Sequence, residues 1–235
     1  MIPLQDTIRS RRPPIINWLI ILTNVILFFY EIHLPRSALQ RFATSYGVVP
    51  RRFLMNPSLT QIGTLFSSMF LHGGWAHLIS NMWALYIFGD NIEERMGHWR
   101  YLFFYLISGV AAALTHILFQ ARSTVPVIGA SGAISGVMGA YLVLYPGARV
   151  ITLLPGLFFI PWFVEIPAFF FIGFWFISQL FNGLLSLAFT GPMATYGGVA
   201  WWAHVGGFIA GVLLAKPLRD RLAMRRWYAD EYWPW

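Results

Sequence analysis

The chain has 235 residues, of which 57% are hydrophobic and only 11% are charged. Soluble globular domains carry about 25% charged residues, so this composition predicts a polytopic membrane protein. The net charge of +7 comes from basic residues that flank apolar runs instead of forming one basic block, which argues against nucleic-acid binding. The chain contains no cysteine, which excludes disulfides and thiolate metal sites.

Six apolar segments predict an all-α bundle of six transmembrane helices. A helix of about 20 apolar residues crosses the hydrocarbon core of a bilayer. The segments cover approximately residues 15–34, 75–89, 99–121, 125–146, 166–190 and 198–215. The second segment is short and needs residues before Trp75 to complete a span. No separate soluble domain is predicted.

The apolar stretch at residues 151–164 is a separate case. It is too short to span a bilayer, and Pro155 and Pro161 interrupt it, which disfavours a continuous helix. We expect an interfacial loop there.

The basic residues predict the orientation of the six spans. With the N-terminus inside, 11 of the 16 basic residues lie on the inner side and 5 on the outer side, as the positive-inside rule requires. The run after residue 14 lacks a clear small-residue cleavage site and is therefore predicted to be an uncleaved first span. We expect a cytoplasmic tail at residues 1–14, a membrane domain at 15–217 and a second cytoplasmic tail at 218–235.

This topology places polar residues of three segments at one depth. The second, fourth and sixth segments all begin at the outer face. His77 and Asn81 lie near the start of the second, Ser131 a few residues into the fourth and His204 a few residues into the sixth. At 1.5 Å per residue, Ser131 and His204 lie only about 6–10 Å below their helix starts.

Ser131 lies in the sequence Gly-Ala-Ser-Gly-Ala-Ile-Ser-Gly, which begins at Gly129. One interpretation is close helix packing, because Gly132 and Gly136 form a small-xxx-small pair. The other is a nucleophile, since glycine leaves room for backbone to approach the hydroxyl. The pattern differs from the nucleophile elbow of soluble hydrolases, which follows a strand.

His204 has the same two interpretations, a packed histidine or a functional ionisable group in the membrane. Gly207 and Gly211 share its helix face, and packing of this face on the fourth helix would bring His204 to Ser131. A serine hydroxyl needs such a base to become a nucleophile. No acid is well placed to complete a triad, and Glu31, at the outer end of the first span, is a weak candidate. A Ser-His dyad is the economical interpretation.

His77 and Asn81 are spaced i, i+4 and therefore share one helix face. Donors at this place would stabilise an oxyanion. The alternative is that Asn81 forms an interhelical hydrogen bond with a purely structural role.

Together these motifs resemble the rhomboid family of intramembrane serine proteases. The resemblance covers roughly residues 15–217 and places three motifs on the helices where the family has them. The matching motifs are His72-x4-His77-x3-Asn81, Gly129-Ala130-Ser131-Gly132, Ala203-His204-x2-Gly207-x3-Gly211, Glu93-x3-Gly97 and Asn24-Val25.

The resemblance implies that Ser131 is the nucleophile and His204 the general base. It also implies that His77, Asn81 and the Ser131 amide bind the oxyanion, with His72 and Gly129 as further site residues. The implied substrates are transmembrane segments of other proteins, cut near the outer face of a bacterial plasma membrane. No cofactor, metal or particular oligomeric state is implied.

One position departs from the family. Four residues after its nucleophile the family often has an aromatic residue that packs on the catalytic histidine, whereas this chain has Ser135. Trp201 or Trp202 is the candidate replacement. Two alternative functions are a non-catalytic rhomboid-like binder, a class that usually lacks the serine or the histidine, and a haem or ion-carrying protein that uses His77 and His204 as ligands.

Overall fold

The computed structural model of the chain describes residues 1–155, 161–188 and 198–220. Helices dominate it, and a small antiparallel sheet joins them. The helices are α1 (Ile15–Ile32), α2 (Arg36–Tyr46), α3 (Pro50–Met55), α4 (Leu59–Ser67), α5 (Trp75–Met96), α6 (His98–Phe119), α7 (Ser131–Leu144), α8 (Ala168–Ala188) and α9 (Trp201–Leu218).

Among the described residues, three helices are long and apolar enough to cross a membrane. They are α1, α6 and α8, with mean hydropathy of 1.9, 2.0 and 1.6. At 14 residues, α7 is shorter, and it packs mainly against other helices, since Gly132 and the nine residues after it are all buried. The chain is thus an integral membrane protein with a helical bundle, and α7 lies in the interior of this bundle.

Glycines allow α7 to approach its neighbours at backbone distance. A Cβ added at Gly207 or Gly211 of α9 would overlap the carbonyl of Gly132 or Gly136. On the α6 side, a Cβ at Gly132 would lie 2.6 Å from the Cβ of Ala112. Small residues permit this close approach of membrane helices. The start of α7 is therefore held against the start of α9.

Glu93 of α5 ties the beginning of α1 to the bundle. Its carboxylate accepts the backbone N–H groups of Ile16 and Asn17 at 2.9 and 2.7 Å. These are donors that a helix N-terminus leaves without an intrahelical partner, and a negative charge is favourable there. Asn17 in turn accepts the hydroxyl of Tyr101 at 2.7 Å. This buried network explains the placement of Glu93 in an otherwise apolar environment.

The segment between α1 and α5 contains α2, α3 and α4, and it contacts the residues that immediately precede α7. Val48 and Val127 form an isolated antiparallel bridge, with backbone bonds of 3.0 and 2.7 Å. The N–H of Gly129 donates to the carbonyl of Ser68 at 2.8 Å. Residues 125–130, expected to open the fourth helix, are therefore non-helical, and α7 begins at Ser131.

A three-stranded antiparallel sheet corrects the all-α expectation. Its strands are β1 (Ile2–Asp6), β2 (Arg149–Pro155) and β3 (Pro161–Pro167), in the order β1-β2-β3. Within the stretch 151–164, residues 151–155 and 161–164 thus lie in paired strands instead of the expected loop. Apolar β-branched residues favour this conformation, and the prolines of β2 and β3 lie at strand ends, where they are tolerated.

The sheet also includes residues 2–6 as β1, although we expected residues 1–14 to form a tail. Asp6 at the end of β1 accepts the side-chain amide of Asn91 at 2.8 Å and the hydroxyl of Tyr141. Burial raises the pKa of Asp6 to about 6, against the hydrogen bonds that lower it. The first residues are thereby connected to α5 and α7.

Candidate active site

Ser131 is the first residue of α7, and the backbone before it takes an unusual conformation. Gly129 has φ of +129°, a region that disfavours residues with a side chain. A Cβ at Gly129 would also lie 2.7 Å from the Nε2 atom of His77. Two independent constraints therefore favour glycine at this position. The serine lies at the helix start, not a few residues inside the helix as expected, and the first amides of α7 have no intrahelical acceptor.

His204 is the fourth residue of α9, and its ring lies between α7 and α8. Its Nε2 atom is 2.8 Å from the Oγ atom of Ser131. Its Nδ1 atom is 2.8 Å from the Oε1 atom of Gln179. The imidazole is 8% exposed, so these two contacts and the surrounding rings set its orientation. The glycine contacts between α7 and α9 bring Ser131 and His204 together.

Two tryptophans pack near the His204 imidazole and replace the aromatic contact that Ser135 cannot provide. The ring centroids of Trp175 and His204 are 5.8 Å apart with an interplanar angle of 35°. Trp201 meets His204 edge-on at 6.3 Å. Trp202, the other candidate replacement, stacks on Phe119 at 3.8 Å. The hydroxyl of Ser135 donates to the carbonyl of Ser131 at 2.6 Å.

His77 lies beside Ser131 with one ring nitrogen directed to Gly129. The N–H of Gly73 approaches the Nδ1 atom of His77 at 3.4 Å, which makes Nδ1 the acceptor. A neutral imidazole then carries its proton on Nε2, which lies on the edge of the ring that faces Gly129. The Nε2–H group of His77 is therefore a hydrogen-bond donor on the side of the pocket next to Ser131.

Asn81 and His72 form a pair behind His77. The side-chain amide of Asn81 lies 3.0 Å from the Nε2 atom of His72. The carboxylate of Glu31 accepts the backbone N–H of His72 at 3.1 Å. Both His72 and Glu31 are almost fully buried. Glu31 therefore binds the segment before α5 and does not complete a triad with His204. The position that an acid would take in a triad, next to Nδ1 of His204, is occupied by Gln179.

A cleft of about 1000 Å³ opens over these residues. Ser131, His204, His77 and Asn81 line it, while His72 lies behind this surface. Parts of α5, α7, α8 and α9 and the residues before α7 form its walls. Across residues 1–155, 161–188 and 198–220, no cluster of three or more His, Cys, Asp or Glu residues could hold a metal ion.

Gln179 is the site residue that the sequence analysis missed. A signal was present, because Gln179 is a strongly polar residue within the apolar run of α8. Its spacing to Trp175 places both residues on one helix face. Nothing in the linear pattern, however, directs this face to His204.

The fold and this cleft define a helical integral membrane protein with a serine-histidine pair. A family model described as the rhomboid domain matches residues 59–221. The match covers more than half of the chain, and the chain therefore belongs to the rhomboid family. The resemblance drawn from the sequence motifs is confirmed.

Several relatives carry the same family name. Rhomboid protein 1, mitochondrial, of Saccharomyces cerevisiae is 29% identical over 177 residues, which cover 74% of this chain and 45% of the yeast protein. RHOMBOID-like protein 6, mitochondrial, of Arabidopsis thaliana is 42% identical over 78 residues, 33% of this chain and 25% of that protein. Rhomboid protease GluP of Bacillus subtilis is 40% identical over 78 residues, 33% of this chain and 15% of that protein. The chain thus spans less than half the length of each.

Proposed function

We propose that this protein is an intramembrane serine endopeptidase that cleaves peptide bonds in or near the transmembrane segments of membrane proteins. The observation that carries the proposal is the 2.8 Å contact between the Ser131 hydroxyl and the His204 imidazole. The pair lines an open cleft in a membrane protein. Membership of a family that includes a protein named as a protease supports the same function.

The dyad works by proton transfer and covalent catalysis. The Nε2 atom of His204 takes the Ser131 hydroxyl proton as Oγ attacks the scissile carbonyl carbon. The tetrahedral intermediate collapses, the C–N bond breaks, and His204 gives the proton to the leaving amine. Water, deprotonated by His204, then attacks the acyl-enzyme, and the Ser131 hydroxyl is regenerated as the second product leaves.

Three groups stabilise the oxyanion of the tetrahedral intermediate. His77 and Asn81 line the cleft together with Ser131, and the Nε2–H of His77 and an N–H of the Asn81 amide are the two side-chain donors. The amide of Ser131 is at the start of α7, where the helix dipole also favours negative charge. Gly129 leaves space for the oxyanion pocket, and His72 orients Asn81 from behind.

The same proposal includes the membrane topology. The chain has six spans, with both termini on the cytoplasmic side of a bacterial plasma membrane. The 11-to-5 distribution of basic residues supports this orientation. The limits of the units are those predicted from the sequence, residues 1–14, 15–217 and 218–235. The substrates are transmembrane proteins that enter the cleft from the bilayer.

The presence of both Ser131 and His204 in contact favours the protease over a non-catalytic rhomboid-like binder. A binder needs neither a base for the serine nor a donor set beside it. A histidine held against a serine and an amide is also a poor ligand for haem, because both ring nitrogens are engaged.

Covalent labelling of the purified protein in detergent tests the proposal. A fluorophosphonate should label the wild-type protein and Ser135→Ala, and should fail to label Ser131→Ala. Ser135 is the matched control, since it lies one turn further along α7. In parallel, Ser131→Ala should not cleave a model transmembrane substrate while its thermal unfolding stays close to wild type. Substrate cleavage by purified Ser131→Ala would refute the assignment.

A further inference from the structure

We propose that Gln179 is a positioning residue for His204: its carboxamide oxygen accepts the Nδ1 proton and leaves Nε2 free to take the proton of Ser131. This inference rests on the proposed protease function. It adds a third, uncharged member to the dyad, carried by α8, which neither the motifs nor the family membership assigns.

The orientation of the Gln179 amide follows from its other contacts. The amide nitrogen lies 3.1 Å from the carbonyl oxygen of Trp175 and 2.8 Å from the hydroxyl oxygen of Ser178. The Ser178 hydroxyl donates its own proton to the Trp175 carbonyl at 2.6 Å, so its oxygen faces Gln179 as an acceptor. The opposite amide orientation would put two acceptors against each other, which leaves the amide oxygen for His204.

The fixed amide determines the tautomer of the imidazole. The Oε1 atom of Gln179 has only lone pairs to offer, and it lies 2.8 Å from Nδ1 of His204. A neutral His204 must therefore carry its proton on Nδ1. The Nε2 atom then presents a lone pair to the Ser131 hydroxyl, as a general base requires.

Gln179 suits a site within a membrane better than an acid does. A carboxylate at membrane depth is costly, whereas an amide supplies the same acceptor without a charge. Gln179 is 6% exposed, and the polar groups of its amide have partners within α8 and on His204. The titratable groups that interact electrostatically with His204 are His77 of α5 and His116 of α6, whereas Nδ1 itself meets the uncharged Gln179.

The same helix also replaces the aromatic contact that Ser135 does not provide. Trp175, one turn before Gln179, packs on the imidazole and supplies the carbonyl that anchors the amide. One face of α8 thus fixes both the plane of the ring and its tautomer.

The test compares Gln179→Met with Asn182→Leu in the full-length protein. Methionine keeps the approximate length of glutamine and removes the amide. Asn182 lies on α8, and its amide donates to the Ser178 carbonyl within the same helix at 2.7 Å, so its substitution controls for a general change in this helix. Gln179 does not line the cleft, and its loss should therefore lower kcat and leave KM unchanged.

We expect Gln179→Met to lower kcat for a transmembrane substrate by about 10–100-fold, by analogy with the loss of a partner that orients a metal-ligating histidine. The rate of fluorophosphonate labelling of Ser131 should fall by the same factor. Asn182→Leu should keep both rates within about twofold of wild type, since it leaves the imidazole contacts intact. Unchanged rates in Gln179→Met, or equal losses in both variants, would overturn the proposal.

Two further measurements keep the test decisive. Ser178→Ala removes one acceptor of the Gln179 amide with little change in volume. This variant should lose less kcat than Gln179→Met, at unchanged KM. Wild-type kcat in Ser178→Ala would count against the proposal. The melting temperatures of Gln179→Met, His204→Ala and the double variant should be non-additive, because each single change breaks the same hydrogen bond. Additive shifts would overturn the contact even if the protein has no protease activity, whereas an unlabelled, inactive wild type would instead overturn the proposed function.

Discussion

The substitution Gly207→Ala tests whether the close backbone packing of Gly207 on Gly132 positions the Ser131–His204 pair. A Cβ at Gly207 would lie 2.9 Å from the carbonyl carbon of Gly132 and closer still to its oxygen. Both are backbone atoms, so no side-chain rotation makes room. To restore an ordinary carbon contact of about 3.5–4.0 Å, α7 and α9 must separate by about 1 Å at this level.

That separation acts directly on the proposed dyad. Gly132 follows Ser131 in the chain, and Gly207 lies one turn after His204 on the same helix face. The hydroxyl and imidazole atoms are 2.8 Å apart, and an increase of about 1 Å exceeds the range of a hydrogen bond. A misplacement of this size lowers turnover by about 10²-fold. Overpacking should also lower the free energy of unfolding by about 1–3 kcal/mol.

The assay measures kcat/KM for a transmembrane substrate and the melting temperature in the same detergent. Gly173→Ala is the matched control, because a Cβ at Gly173 of α8 meets nothing within 4 Å. Replacing a helical glycine in open space should keep activity and raise stability by up to about 1 kcal/mol. Wild-type kcat/KM in Gly207→Ala, or an equal loss in Gly173→Ala, would refute the role of this packing.

Three further predictions address the oxyanion pocket, the N-terminal strand and the topology. Asn81→Ala should lower kcat by about 10²–10³-fold with only a small fall in melting temperature, of the order expected for about 0.6 kcal/mol; unfolding, or an unchanged kcat, would make Asn81 purely structural. Because the folded-state pKa of Asp6 is raised to about 6, its protonation contributes stability that is present below about pH 4 and is lost as the pH rises through 6. The melting temperature should therefore rise more between pH 7 and pH 5 in wild type than in Asp6→Asn, and identical pH profiles would exclude this linkage. Reporter fusions at Trp235 and within residues 35–60 should report opposite sides of the membrane, and a common side would invalidate the six-span topology.

Much of the candidate site was accessible from the sequence because its residues fall in local motifs. The serine between glycines, the His77–Asn81 spacing and the His204–Gly207–Gly211 face each identify residues that the structure brings to one cleft. The limits of the helices were less accessible. Residues 125–130 are apolar enough for a helix, yet they are non-helical, and Val127 among them pairs with Val48. The sequence has no local signal for that long-range pairing.

The sequence by itself determined that the chain is a helical membrane protein of the rhomboid family, because hydropathy and short motifs are local properties. Only the tertiary structure decided two features. The N-terminal residues form a sheet with the strands at residues 149–155 and 161–167, since strand pairing joins segments that are distant in the chain. Gln179, not an acid, meets the Nδ1 atom of His204, because the rotation of α8 against α9 depends on packing and not on spacing along either helix.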